Sequence, residues 1–117
     1  MKLYATHGDY RIYLDSSAES GNTFYCRMGR FFADREVARE LAEPLYDSAT
    51  SLWLLATDAV GTICAFGCLD SRDIVKKGEA LVTYGWVAPE HRNAGLHTAI
   101  FEARLRLAEE LGARTVF

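Results

Sequence analysis

The stretch that decides the fold is Trp86-Val87-Ala88-Pro89-Glu90-His91-Arg92-Asn93-Ala94-Gly95-Leu96-His97-Thr98, an apolar strand that turns through a short polar loop directly into a helix. The first-turn N–H groups of such a helix have no helical acceptors, and the helix dipole favours negative charge beside them. The junction is therefore an anion site on which a phosphate can sit. It carries no Walker lysine and no Gly-x-Gly-x-x-Gly, which argues against a P-loop nucleotidase and against a Rossmann dinucleotide site.

Downstream, Leu96, Ala99, Ile100, Ala103, Leu107 and Leu111 form one apolar stripe at helical spacing, with Glu102, Arg106 and Glu110 set to pair on the outer face. Gly112 stops that helix, and residues 113–117 begin another strand. Upstream, Glu79–Val87 reads as an apolar strand in which Gly85 marks a bulge or a close backbone approach. Residues 70–78 are a charged loop. Ser51–Thr57 and residues 62–69 are two strands joined through Asp58-Ala59-Val60-Gly61 as a hairpin, which makes the sheet partly antiparallel. The first strand is residues 10–14, where Tyr10, Ile12 and Leu14 alternate with Arg11 and Tyr13 before Asp15-Ser16-Ser17. Residues 19–30 hold Gly21, Asn22 and Gly29 among scattered aromatics and read as irregular, with one helical turn. Asp34 caps a short helix through Val37, Ala38 and Leu41, anchored by Phe31-Phe32 and closed by Pro44.

A length of 117 residues predicts a single domain, residues 1–117, with one hydrophobic core. Half the residues are hydrophobic and a quarter charged, with two prolines and nine glycines, which predicts a compact globular chain. Thirteen basic against sixteen acidic residues leave a net charge of -3, so nothing draws the chain as a whole to nucleic acid or to an anionic membrane. No apolar run approaches a bilayer span and Met1-Lys2-Leu3-Tyr4 opens no signal-peptide core, so the expected location is cytoplasmic. Cys26, Cys64 and Cys68 are odd in number. Cys64 and Cys68 share a strand, about 13 Å apart along it, too far for one bridge or one ion, so they read as small core hydrophobes.

The junction resembles the acetyl-CoA signature of the GNAT acyltransferase superfamily, Val-x-Pro-x-x-Arg-x-x-Gly-x-(Gly or Ala), here Val87, Pro89, Arg92 and Gly95 followed by His97. Arg-x-x-Gly alone arises by chance on the order of 0.5 times in a chain of this size; proline at its fixed offset lowers that about twentyfold. The order of elements also resembles a GNAT domain through its fifth core strand, and residues 28–37 resemble the early helical region of some bacterial and phage members. The fold implied is an α/β chain of the α+β type, with a mixed, mainly antiparallel central sheet, helices on both faces and a short C-terminal end. Acetyl-CoA is the implied acyl donor. Main-chain N–H groups of Asn93, Ala94, Gly95, Leu96, His97 and Thr98 would hold its pyrophosphate, with Arg92 shaping the loop and adding positive charge. Its pantetheine arm would lie along Trp86 and Val87, and a strand N–H near the bulge would polarise the thioester carbonyl for direct attack by an amine.

Two departures stand out. His97 replaces a small residue, and its ring either points outward to lend a donor to phosphate, the preferred reading, or obstructs the site. The elements after the fifth strand, where the family commonly keeps the tyrosine that protonates the thiolate, are missing from the pattern. Glu79 and Tyr84 are the weak candidates for catalysis: Glu79 also reads as a solvated strand start, and Tyr84 as holder of a water acting as base. His7 reads as a surface residue without a partner, and His91 as a loop residue at a position often aromatic in the family. Six residues separate His91 from His97, which is not helical metal-pair spacing, and no metal is assigned. Trp53 and Trp86 read as core, Trp86 alone having reason to touch the donor. The acceptor is a small-molecule or protein amine. The rival reading is a non-catalytic GNAT-like module that binds CoA or serves in assembly. The last strand is expected to leave an apolar edge at Val116 or Phe117, to be covered by a second copy or a partner chain.

Overall fold

Six strands lie side by side in sequence order in the computed structural model of the chain, which describes residues 1–117. They are β1 (Lys2–His7), β2 (Tyr10–Asp15), β3 (Ser51–Thr57), β4 (Ile63–Asp70), β5 (Glu79–Val87) and β6 (Thr115–Val116). Neighbours from β1 to β5 are antiparallel, and β5 and β6 alone are parallel. The helices are α1 (Ser17–Ser20), α2 (Asn22–Phe32), α3 (Arg35–Leu41), α4 (Ile74–Lys77) and α5 (Leu96–Glu110), with a 3-10 turn at Pro89–His91.

Alternation along the central strands makes two cores, one on each side of the sheet. Trp53 and Leu55 of β3 and Phe66 and Cys68 of β4 pack against Phe24, Met28, Phe31 and Val37 of α2 and α3. Leu54 and Ala56 face the other way, against Leu96, Ile100 and Ala103 of α5. The expected mixed, mainly antiparallel sheet with helices on both faces is the one observed. Asp58 closes the β3–β4 hairpin by accepting from the amides of Val60 and Thr62.

Several boundaries differ from the sequence reading. The segment read as irregular is the eleven-residue α2. Phe24, Met28 and Phe31 fall at helical spacing on one buried face, while Gly29 sits in open space where its missing side chain costs only propensity. Strand β1 was not foreseen, because its largely exposed edge position leaves little alternation to read. Helix α3 has its Asp34 cap, the carboxylate accepting from the amides of Glu36 and Val37, but it ends at Ala42 in the left-handed region, before Pro44. The loop before β5 holds the single turn α4.

Helix α5 ends in a Schellman arrangement: Gly112 N–H donates to Glu109 O and Ala113 N–H to Ala108 O, with Gly112 at φ 96. Its outer face is arranged differently from the expected Glu102–Arg106–Glu110 pairs, since Glu110 accepts from the Tyr4 hydroxyl at 3.1 Å and Arg106 lies over the Tyr4 ring. Leu111 is exposed, and Arg104 instead occupies the buried face beside Ile100 and Leu107. Strand β6 pairs with β5 at Glu79↔Thr115 and Ala80↔Val116, and Phe117 is left exposed at the sheet edge.

Cys64 and Cys68 are buried in the sheet, and burial pushes both thiols up to about 11, whereas Cys26 is exposed. A thiol-specific reagent at pH 8 is expected to modify one cysteine per native chain, Cys26, and all three after denaturation. Unfolded thiols ionise near 9.0 while the buried ones keep their protons to about 11, so the folded chain binds more protons in that window and stability falls as pH rises through it. Urea titrations at pH 8 and pH 10 check this.

Candidate functional site

The sheet is broken at one place that matters for chemistry. Phe66 pairs with Trp86 and Cys68 with Thr83, so Gly67 alone faces both Tyr84 and Gly85. This is the bulge expected near Gly85, but the residue forced into the left-handed region is Tyr84, at φ 57, a conformation rarely adopted by a large side chain. Its ring crosses to the α2–α3 face and stacks on Trp53, nearly parallel at 5.8 Å between centroids. Burial, with the nearby Glu43 carboxylate second, raises the Tyr84 pKa, so it is a phenol at neutral pH and not a base.

Beside the bulge lies a cleft of ≈420 Å³ lined by Gly85, Trp86 and Val87 of β5 and by the loop and first turn of α5 from His91 to Thr98, with Glu40 and Leu41 of α3 on its far wall. The sequence-derived set Trp86, Val87, Arg92, Asn93, Gly95, Leu96, His97 and Thr98 lines this one cleft, and Ala94 lies on the same loop facing His7. Glu79 does not; it sits at the far end of β5 paired with Thr115 and lines a separate depression with Asp70 and Phe117.

The loop has the form an anion needs. Gly95 opens α5 at φ 78 with no side-chain cap, Asn93 is left-handed at φ 66, and no protein acceptor engages the amides of residues 93–98. Arg92 fastens the loop, donating from Nε to Val87 O at 2.9 Å and from Nη2 to the Glu40 carboxylate. The indole Nε1 of Trp86 is buried without an acceptor beside the cleft, its ring held between Phe31 and Phe66. Trp53 is wholly core, its Nε1 donating to Asp47.

Of the three histidines, His7 departs from its sequence reading. His7 has a partner: its Nε2 lies 2.7 Å from Ala94 O, binding β1 to the loop. His91 Nδ1 lies 2.9 Å from the Tyr10 hydroxyl, with the two rings edge to face. The His97 ring turns back across Gly85, its Cε1 3.0 Å from where a Gly85 Cβ would stand, because first-turn side chains lean toward the helix N-terminus and Gly85 leaves room. His97 is exposed and lines the cleft.

Sequence reasoning missed Glu40, Leu41, His7 and Arg104. The first three reach the site through β1 and the fold of α3 onto the loop, neither of which leaves a local signal. Arg104 did leave one, since it falls inside the stripe between Ile100 and Leu107.

No protein-family profile matches the chain, and no curated protein does. Solved structures do. An aminoglycoside acetyltransferase from an uncultured soil metagenomic sample, in complex with sisomicin, is 14% identical with a TM-score of 0.66, over 94% of this chain and 76% of that one. A second aminoglycoside acetyltransferase of soil metagenomic origin is 20% identical with a TM-score of 0.62, over 92% and 77%. The ribosomal-protein-alanine N-acetyltransferase of Brucella melitensis is 17% identical with a TM-score of 0.60, over 92% and 76%. The chain therefore has the GNAT acetyltransferase fold over nine-tenths of its length.

Gly95 tests the loop. A side chain there must adopt φ 78 and place its Cβ 3.1 Å from His7 Nε2, so the substitution is not a silent surface change. Gly95→Val is expected to cost about 1–2 kcal/mol of stability from the left-handed backbone, read by urea denaturation.

Proposed function

We propose that the chain is an acetyl-CoA-dependent N-acyltransferase that transfers an acetyl group to a primary amine by direct attack. The observation that carries this reading is the coincidence, in one cleft, of a bulged strand with an uncapped helix N-terminus whose amides are free. The amides of residues 93–98 would receive the CoA pyrophosphate, and Trp86 and Val87 would run beside its pantetheine arm. A β5 N–H at the bulge would polarise the thioester carbonyl. The amine nitrogen bonds to that carbon as the C–S bond breaks, its electron pair leaving on the CoA sulfur, and the surplus ammonium proton passes to water. Tyr84, stacked on Trp53 and absent from the cleft lining, has no part in that transfer. The acceptor is a small-molecule or protein amine, and the three free cysteines suit a reducing, cytoplasmic setting. No helix is long and apolar enough to cross a membrane.

At 100 times its dissociation constant acetyl-CoA should add about 2.7 kcal/mol, a rise in Tm on the order of 10 °C for a domain of this size. An unmoved Tm with both CoA and acetyl-CoA overturns the reading.

A non-catalytic CoA-binding or assembly role is favoured by two features: Glu79 lies outside the cleft, and Tyr84 cannot serve as a base. CoA binding without transfer to a panel of amines would establish it. We also propose that a second copy of the chain covers the edge at β6, where Phe117 and Leu81 are exposed. Light scattering should report a dimer, and a monomer at high concentration refutes it.

A further inference from the structure

Arg104 is 3% exposed, yet no carboxylate faces it. Its Nη1 donates to two main-chain carbonyls, Cys68 O on β4 at 3.3 Å and Thr83 O on β5 at 2.9 Å, and its Nε has no acceptor. Burying a guanidinium on such terms is expensive, and burial accordingly lowers its pKa.

The place where this expense falls is specific. Cys68 and Thr83 are the last regular pair before the bulge. Arg104 is a neighbour common to the two glycines at the bulge: a Cβ on Gly67 would meet Ile100 Cγ2 at 2.8 Å and Arg104 Cζ and Nε at 2.9 Å, and one on Gly85 would meet His97 Cε1 at 3.0 Å and Arg104 Nη2 at 3.2 Å. The guanidinium therefore fills the hollow under the bulge and bridges its two strands.

We propose that Arg104 is the positioning residue of the donor cleft, holding β4 and β5 in the bulged register that keeps Tyr84 left-handed and presents the β5 edge to the thioester. Its planar fork suits this task, because one nitrogen reaches carbonyls on both strands while the flat group lies against glycine backbone. Without it those carbonyls lose their donor, and a tyrosine at φ 57 gains by relaxing to an extended conformation. The link to CoA rests on the function proposed above; the hold on the bulge does not.

Arg104→Met keeps length and removes the donors, Arg104→Lys keeps a charge and donors, and Gly67→Ala keeps the arginine but fills the space of its Cζ and Nε. Amide exchange across residues 83–87 and calorimetric titration with CoA are measured on each, with circular dichroism to establish folding. Arg104→Met and Gly67→Ala are expected to speed exchange at 83–87 at least tenfold while β2 and β3 stay protected, and to weaken CoA binding at least tenfold. Arg104→Lys is expected to recover part of both. A folded Arg104→Met with wild-type exchange and affinity overturns the proposal. So does loss of the fold in all three variants, which makes Arg104 a core residue and nothing more. Failure of the wild-type chain to bind CoA counts against the proposed function alone, since exchange at the bulge still decides the role of Arg104.

Discussion

The mismatch of one residue between β4 and β5 governs much of the arrangement around it. Gly67 opposite Tyr84 and Gly85 ends regular pairing, turns the Tyr84 ring onto Trp53, and leaves Gly85 as bare backbone against which His97 and Arg104 can close. On one side of the sheet lies an aromatic core running from Phe24 through Trp53 and Phe66 to Trp86. On the other lies a buried cation. The bulge, which seats two residues where a flat ladder seats one, touches both, and neither side could be repacked without disturbing the other.

The parts of this molecule that were legible in its sequence are those written in local, periodic or stereochemical form. Strands β3 and β5 are continuous apolar runs, Asp34 and Gly112 are helix ends with a mechanical reason, and the loop from Val87 to Gly95 has the composition an anion site demands. What could not be read depends on contacts between distant segments. Helix α2 is hidden because Gly21, Asn22 and Gly29 imitate a loop around the helical spacing of Phe24, Met28 and Phe31, which pack on Trp53 and Phe66. The bulge was foreseen at the glycine, but the strain sits on the tyrosine beside it, since Gly85 is needed for closeness rather than for its torsion.

The site was legible as a binding loop and much less so as a reaction centre. The proposed binding uses main-chain amides, which depend on backbone shape, and backbone shape leaves its mark in glycine and proline. Proton transfer depends on which side chain faces the cleft, and a strand alternates its faces at every residue until a bulge resets the count. Glu79 and Tyr84 both lie on the right strand, yet one is at its far end and the other points away beneath the aromatic core.

The hydrogen bond from His7 to Ala94 spans 87 residues of sequence. It joins the first strand to a loop synthesised 87 residues later, and α5 must then dock behind that loop. Contacts of such separation form late, because the intervening chain has to be ordered before they bring any return. During synthesis the sheet from β1 to β4 can therefore assemble while the cleft is still absent. The sheet can thus form before the candidate cleft does.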